Sequence, residues 1–322
     1  MRAFEVMSPG AFTTVQDLGR YGYQKYGVSI CGAMDRFALR VGNLLVGNEE
    51  GEAAIEATVI GPKLKILSRV RVAFTGADLS PEVEGKPAPM WRALDVAEGS
   101  VLSFGAARSG CRAYLAVSGG IDFPVVMGSR SVHTRSNLGG SGRALAKGDV
   151  IQIKEAGIRN QESGPGVRES GSGQLPEEFV PVYGREWNVR VVLGPQDDYF
   201  TPKGVETFLD SEYRITPQAD RMGYRLRGPK IEHKSGPDIL TDATPPGSIQ
   251  VPGDGMPIVL LADGQTSGGY SKIATVISVD LDLLAQARPG DRVRFQRVTL
   301  TEAHRLLKAM EKKMRALKSR LS

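Results

Sequence analysis

Apolar positions along the chain fall mostly in short runs of four to six residues, cut by Gly, Pro and Asp turns, with helical spacing in only a few places. Residues 2–6 predict a first strand. Phe37, Ala38, Val41, Leu44 and Leu45 recur at helical spacing before a Gly47-Asn48 stop, and Asp35 stands where the helix needs an N-cap. From 53 to 153 the pattern is β throughout, with runs at 63–67, 70–75, 101–104, 114–117 and 150–153. In the second half, strands are predicted at 188–193, 257–262 and 292–298, and a helix at 199–209 that tolerates Pro202 in its first turn. The last helix, 301–322, carries a stripe of Ala303, Leu306, Leu307, Met310, Met314, Leu317 and Leu321, with Lys and Arg opposite. That stripe fits docking on its own domain or on a partner protein.

This pattern predicts a mainly β protein of two β units, with a few short helices and a C-terminal helix. Residues 159–182, rich in Gly, Ser and Glu with little to bury, read as a linker between an N-terminal β domain (1–158) and a C-terminal domain (183–322). Each half closes on a similar phrase, Gly148-Asp149 before 150–153 and Gly290-Asp291 before 292–295. The His133 stretch, 131–143, reads as an exposed polar loop.

Composition narrows the function classes. Of 322 residues, 39 are Gly and 19 Pro, against 7% aromatic, which favours short strands and turns over a helical bundle. The net charge of +5 lies entirely in the final helix, where four Lys and three Arg face two Glu, so nucleic-acid binding is not expected. No apolar run approaches the roughly 18 residues of a bilayer span. The N-terminus, MRAFEVMSPG, lacks a signal-peptide core, so a cytoplasmic location is expected. Cys31 and Cys111 match no metal spacing and read as free thiols. His133, His233 and His304 are too scattered to suggest a zinc site or a Ser-His-Asp triad, and no metal site is expected of the chain.

The stretch 250–272 carries the candidate chemistry: a Pro-Gly turn, a short apolar strand, then a polar glycine-rich loop over 263–272. Such a loop brings backbone N–H groups, hydroxyls, a carboxylate and a lysine towards a small anionic ligand, or is simply a solvated turn. It is not a phosphate-binding loop of the Walker type, because Tyr270-Ser271 stand where Lys is required. A second segment, 220–228, holds Arg221, Arg225 and Arg227, which on one strand would share a face. A guanidinium row there would meet a carboxylate or phosphate, or lie solvated on an edge.

Three segments together resemble one family. They are Gln16-Asp17-Leu18-Gly19-Arg20 with Gly32-Ala33-Met34-Asp35; Asp220-Arg221-Met222-Gly223-Tyr224-Arg225-Leu226; and Gln250-Val251-Pro252 with Asp263-Gly264-Gln265-Thr266-Ser267-Gly268-Gly269-Tyr270. In that order they resemble the allophanate hydrolase subunit 2 family, also called the KipA or biotin-dependent carboxyltransferase-domain family. The likeness runs from about Phe4 to about Val298.

The resemblance implies β-barrel architecture with a cyclophilin-like second half. It implies the C-type subunit of an ATP-dependent 5-oxoprolinase, which opens 5-oxo-L-proline to L-glutamate only in complex with a B-type (KipI-type) protein and an A-type subunit. ATP with Mg2+ would be shared with those partners. The alternatives it carries are a carboxyltransferase component of a biotin-dependent urea or amide carboxylase, and a non-catalytic KipA-type regulatory partner. The sequence shows no biotin carboxylase segment and no biotin attachment motif, so under the first alternative biotin arrives on another polypeptide. Catalytic roles are expected at Asp263, Gln265, Tyr270 and Asp17. Substrate or phosphate binding is expected at Arg20, Asp35, Arg221, Arg225, Gln250, Thr266, Ser267, Gly268, Gly269 and Lys272. Each side chain has a structural alternative: Gln250 and Gln265 as a loop cross-link, Tyr270 as filler, Arg20 as a pin.

Overall fold

The structure, a computed structural model, describes residues 1–154 and 167–321. The chain divides into two compact units. The first comprises Met1–Arg20, Cys31–Tyr183 and Lys313–Ser322, the second Tyr21–Ile30 and Gly184–Lys312.

The described residues of the first unit form twelve strands: β1 (Arg2–Ser8), β2 (Phe12–Gln16), β3 (Ala54–Thr58), β4 (Lys63–Ile66), β5 (Val70–Asp78), β6 (Glu82–Val83), β7 (Lys86–Pro87), β8 (Arg92–Val96), β9 (Val101–Ser103), β10 (Ser109–Val117), β11 (Val150–Gln152) and β12 (Val167–Gln174). They form two six-stranded sheets, β11-β1-β4-β9-β6-β7 and β12-β8-β5-β10-β3-β2. Phe4, Val6, Leu64, Ile66 and Leu102 of one sheet cluster with Val15, Ile55, Val72, Phe74, Leu94 and Leu115 of the other. The period-2 alternation puts these residues on one face of each sheet, and burying each large apolar side chain contributes about 1.5–3 kcal/mol. Helix α1 (Arg36–Leu45) lies against β5 and β10, where Thr75 Oγ1 donates to the Ala38 carbonyl at 2.7 Å. A Cβ at Gly42 would come within 3.0 Å of Thr75 Oγ1 and 3.2 Å of Ala116, so the glycine sets this close approach.

The second unit contains β13 (Glu186–Leu193), α2 (Pro202–Asp210), β14 (Glu212–Ile215), β15 (Gly223–Arg227), β16 (Asp238–Ala243), β17 (Ser248–Gln250), β18 (Ile258–Leu260), β19 (Ser267–Tyr270), β20 (Lys272–Val276), α3 (Ser278–Leu284) and β21 (Arg292–Arg297). Seven of them close a barrel in the order β13-β20-β17-β18-β15-β14-β21. The closing pair, β13 with β21, is parallel, Glu186 facing Arg292 through Val191 facing Arg297. Strands β16 and β19 form a separate two-stranded ribbon. Helix α4 (Leu300–Leu321) ends the chain and buries Met314 and Leu317.

The mainly β class, a barrel and the C-terminal helix are as expected. Of the two expected barrel-like units, the first is made of two packed sheets and the second of a closed barrel. The linker read at 159–182 fares differently along its length. Residues 159–166 lie outside the described residues, whereas Val167–Gln174 form β12, an edge strand paired with β8. Low hydrophobicity does not forbid an edge strand, because its ladder needs only backbone groups.

The two Gly-Asp phrases adopt the same local turn. Gly148 and Gly290 have φ of 88° and 89°. Asp149 accepts from Ala146 N and Asp291 from Arg288 N, at 2.8 and 2.9 Å, each three residues back. Each Asp also meets an arginine, Arg143 and Arg185 respectively.

Candidate functional site

In the second unit, most of the residues singled out around 250–272 gather at β17, β19 and β20. Gln250 ends β17 opposite Lys272 of β20. Gln265 Nε2 donates to Gln250 Oε1 at 3.2 Å, so the loop cross-link expected of these two amides exists. The other end of the Gln250 amide, Nε2, is buried with no partner. Gly268 makes room for it, since a Cβ there would collide with Gln250 Nε2. Thr244 Oγ1 donates to the Gln265 carbonyl and Thr244 N to the Thr266 carbonyl, fixing the loop from the ribbon side. Ser271 Oγ, fully buried, also has no partner.

The polar loop expected over 263–272 is in large part strand. Ser267–Tyr270 pair with β16, with Gly268 opposite Asp242 and Tyr270 opposite Asp238. Tyr270 is 41% exposed rather than filling an interior. Lys272 is 1% exposed, and its Nζ meets Asp242 Oδ2 at 2.8 Å on the ribbon. The hydrogen bond from Lys272 holds the Asp242 carboxyl below the usual carboxylate value, helped by Ala243 N and Gln196.

Arg221 and Asp263, expected to meet ligand, meet each other. Arg221 Nε and Nη2 donate to Asp263 Oδ2 and Oδ1 at 2.9 and 3.0 Å, and both residues are buried. Asp263 N also donates to the Arg221 carbonyl. Nor do the three arginines share a face. Arg221 lies before β15 in a turn organised by Asp220, whose Oδ1 accepts from Met222 N and Gly223 N. Arg225 and Arg227 point outwards, exposed, while Tyr224 and Leu226 fill the inside.

In the first unit, Asp17 is a hub. Its Oδ1 accepts from Gly19 N, Ser129 Oγ and Ser131 Oγ, and its Oδ2 from Arg130 N, all between 2.6 and 2.8 Å. With both oxygens engaged, Asp17 organises the 129–131 segment. Arg20, 1% exposed, donates from Nη2 to the Ser131 carbonyl. Asp35 caps α1, accepting from Ala38 N at 2.8 Å, and receives Tyr183 Oη at 3.3 Å. Behind it, Tyr114 Oη donates to Glu56 Oε2 at 2.7 Å and accepts from Asp35 N. Burial, then the nearby Glu56 and Asp35 carboxylates, push the Tyr114 hydroxyl well above the usual phenol value.

Sequence reading missed Ser129, Arg130, Ser131 and His133. The segment 131–143 is expected to be an exposed loop and nothing singles out 128–130, yet Ser129, Ser131 and His133 are buried. Two serines flanking an arginine, all polar, carry no hydrophobic signal of burial; their partner is Asp17, more than a hundred residues away.

A sequence profile of the carboxyltransferase domain, subdomain A and B, matches residues 26–297. The chain belongs to this carboxyltransferase-domain family. It is the family expected from the three motif segments. Carboxyltransferase-domain relatives include the C-type subunit of 5-oxoprolinase from Haemophilus influenzae, 36% identical over 95% of this chain and 95% of that protein. Its Escherichia coli counterpart is also 36% identical, over 97% and 95%. The urea amidolyase of Kluyveromyces lactis matches in structure with a TM-score of 0.91 and 31% identity, over 98% of this chain but 20% of that one. The chain thus spans about a fifth of the urea amidolyase and nearly all of each 5-oxoprolinase relative.

Among the described residues of this family member, no group of three or more His, Cys, Asp or Glu side chains is placed to hold a metal ion. Both carboxylate oxygens of Asp17 and of Asp263 accept hydrogen bonds from within the chain. Neither cysteine forms a disulfide, and both are buried. No described helix is long and apolar enough to cross a membrane.

Proposed function

We infer that this chain is one component of a 5-oxoprolinase, which opens the lactam of 5-oxo-L-proline to L-glutamate with ATP. The observation that carries the reading is the end-to-end match to the C-type subunit of that enzyme, about 95% of both chains in two bacteria. The name of those relatives supports further subunits, and a B-type (KipI-type) protein and an A-type subunit fill that role here. ATP, when bound, supplies a phosphoryl group that activates an otherwise unreactive amide. We assign its site and Mg2+ to the partners, since Asp17 and Asp263 of this chain already accept hydrogen bonds from within it.

The chain's own contribution is recognition of the amide. A lactam presents one acceptor, its carbonyl oxygen, and one donor, its N–H. The Gln250–Gln265 pair offers the matching set: the buried, unpartnered Gln250 Nε2 as donor and Gln265 Oε1 as acceptor. Filling the orphaned donor with the lactam oxygen removes a desolvation cost that water meets in the unfolded chain. Gly268 keeps the approach open, and Thr244 holds the Gln265 backbone still.

The amide pair equally suits a urea nitrogen and oxygen. That and the TM-score of 0.91 to a urea amidolyase favour, as second reading, a carboxyltransferase fed by biotin on another polypeptide. The test is glutamate formation from 5-oxo-L-proline, ATP and Mg2+ by this chain co-expressed with its B- and A-type subunits, against a mixture lacking this chain. Glutamate only from the complete mixture is the expected result. An assembled complex that forms none would overturn the reading in favour of the second.

A further inference from the structure

The second unit holds a cavity that the amide pair does not use. Its volume is about 380 Å3, and it is lined by the end of β13, the end of β20 with the start of α3, and the first two turns of α4. Val192, Leu193, Val276, Ile277, Leu300 and Leu307 supply its apolar wall. Leu300 and Leu307 remain 59% and 38% exposed, whereas Met314 and Leu317 further along the same helix are buried. An apolar enclosure of this size admits a small organic molecule, and covering those two leucines removes apolar surface from water.

Three side chains that line the same cavity can form hydrogen bonds: Thr275, Ser278 and His304. None of these three side chains has a hydrogen-bond partner among the described residues. Their charge type is one-sided. No lining residue carries a carboxylate, and the one ionisable side chain, His304, is either neutral or positive. An ammonium group entering here would lose water with nothing negative to meet. A carboxylate would meet two hydroxyl donors and an imidazole N–H. With so few polar groups on an otherwise apolar wall, the matching ligand is mostly hydrocarbon with a single polar head.

We propose that this cavity is a binding site for a small monocarboxylic acid with an aromatic or aliphatic body. The body lies against Val192, Ile277, Leu300 and Leu307, and the carboxylate is held by His304 with the hydroxyls of Thr275 and Ser278. The site shares strand β20 with Lys272, the residue opposite Gln250, but contains neither member of the amide pair. It therefore does not depend on which amide that pair recognises.

The full-length chain, with 13C-labelled Ile, Leu and Val methyl groups, is titrated separately with hexanoate, phenylacetate, hexanol and hexylamine at constant pH and ionic strength. The expected result is a saturable shift of the Val192, Ile277, Leu300 and Leu307 methyl signals with both acids, and none at Val72 or Leu94 of the first unit. Hexylamine should bind several-fold more weakly than hexanoate. Leu307→Trp and Ala303→Phe, which fill the cavity from α4, should abolish the shift in chains whose Tm shows them folded. His304→Ala, at an exposed position, should weaken hexanoate several-fold and leave hexanol unchanged, a split that loss of packing alone would not produce. The proposal is overturned by no saturable shift with either acid, by hexylamine binding as tightly as hexanoate, or by hexanoate binding unchanged in His304→Ala or in the folded filling variants. Leu300 and Leu307 methyls that then lose solvent contact in the complex with the partner subunits would make the cavity a subunit contact instead.

Discussion

Replacing Asp263 with Asn tests how the second unit holds its first polar turn. The carboxylate accepts two charge-assisted hydrogen bonds from Arg221, at 2.9 and 3.0 Å, where the two side chains are 7% and 5% exposed. Asparagine keeps the volume but removes the charge and turns one acceptor into a donor facing a donor. The guanidinium then stays buried without its fork, a situation that costs about 3–5 kcal/mol. For a unit of this size each kcal/mol is roughly 2–4 °C, so Tm should fall by about 10 °C or more. The assay is urea unfolding of the wild type, Asp263→Asn, Asp263→Leu, Arg221→Met and the double variant Arg221→Met/Asp263→Leu. The double variant should be more stable than either single one, since no charge is then stranded, giving a coupling of about 1–3 kcal/mol. A single-variant loss below about 1 kcal/mol, or additive losses, would refute the claim that this pair is structural. The outcome also decides how lost turnover in either variant is read: a damaged turn, not a missing catalytic group.

Further expectations follow from other contacts. Gly268→Ala should drive the Gln250 amide from its place and break its bond to Gln265, lowering stability by about 1–3 kcal/mol, and Gln250→Ala in the same chain should recover part of that by making room. Asp242 has its carboxyl value depressed below 3.8 chiefly by Lys272, so the stability it lends the β16–β19 ribbon is complete above that value and is lost as pH falls through the lower folded one. Hydrogen exchange of the ribbon amides should therefore rise in acid relative to the barrel, and Asp242→Asn should show that faster exchange at neutral pH; equal exchange in the two proteins would dismiss the tether. Asp35→Ala should cost about 0.5–2 kcal/mol through loss of the α1 cap, read by thermal unfolding, with Asp35→Ser retaining most of it.

What was legible in the sequence was whatever local chemistry decides. Asp35 before a run of helical spacing identified its own cap, Pro202 its place at the start of α2, and the Gly-Asp phrases their turns. The apolar alternation of 70–75 marked a sheet face because its period matches the pleat. Pairings between distant residues were not legible. Nothing near Asp17 announces Ser129 and Ser131, and nothing near Arg221 announces Asp263, because hydrogen-bond partners carry no sequence period. Lys272 illustrates the same limit: a lysine in a polar loop reads as solvated, yet the fold buries it against a carboxylate from a ribbon that is itself exposed. Residues 263–272 looked like loop because glycines dominate them, whereas strand β19 takes its order from backbone pairing with β16.

The parallel seam between β13 and β21 has a consequence for synthesis of the chain. The barrel's first strand, residues 186–193, leaves the ribosome about a hundred residues before the strand that seals it, residues 292–297. Until then β13 and β14 both present raw edges, since each takes β21 as its neighbour. A nascent chain stalled in that interval holds an open sheet able to pair with another copy of itself. A stop codon between 216 and 291 would therefore yield an aggregating product rather than a smaller working one, and chaperone demand should peak while these residues are being made.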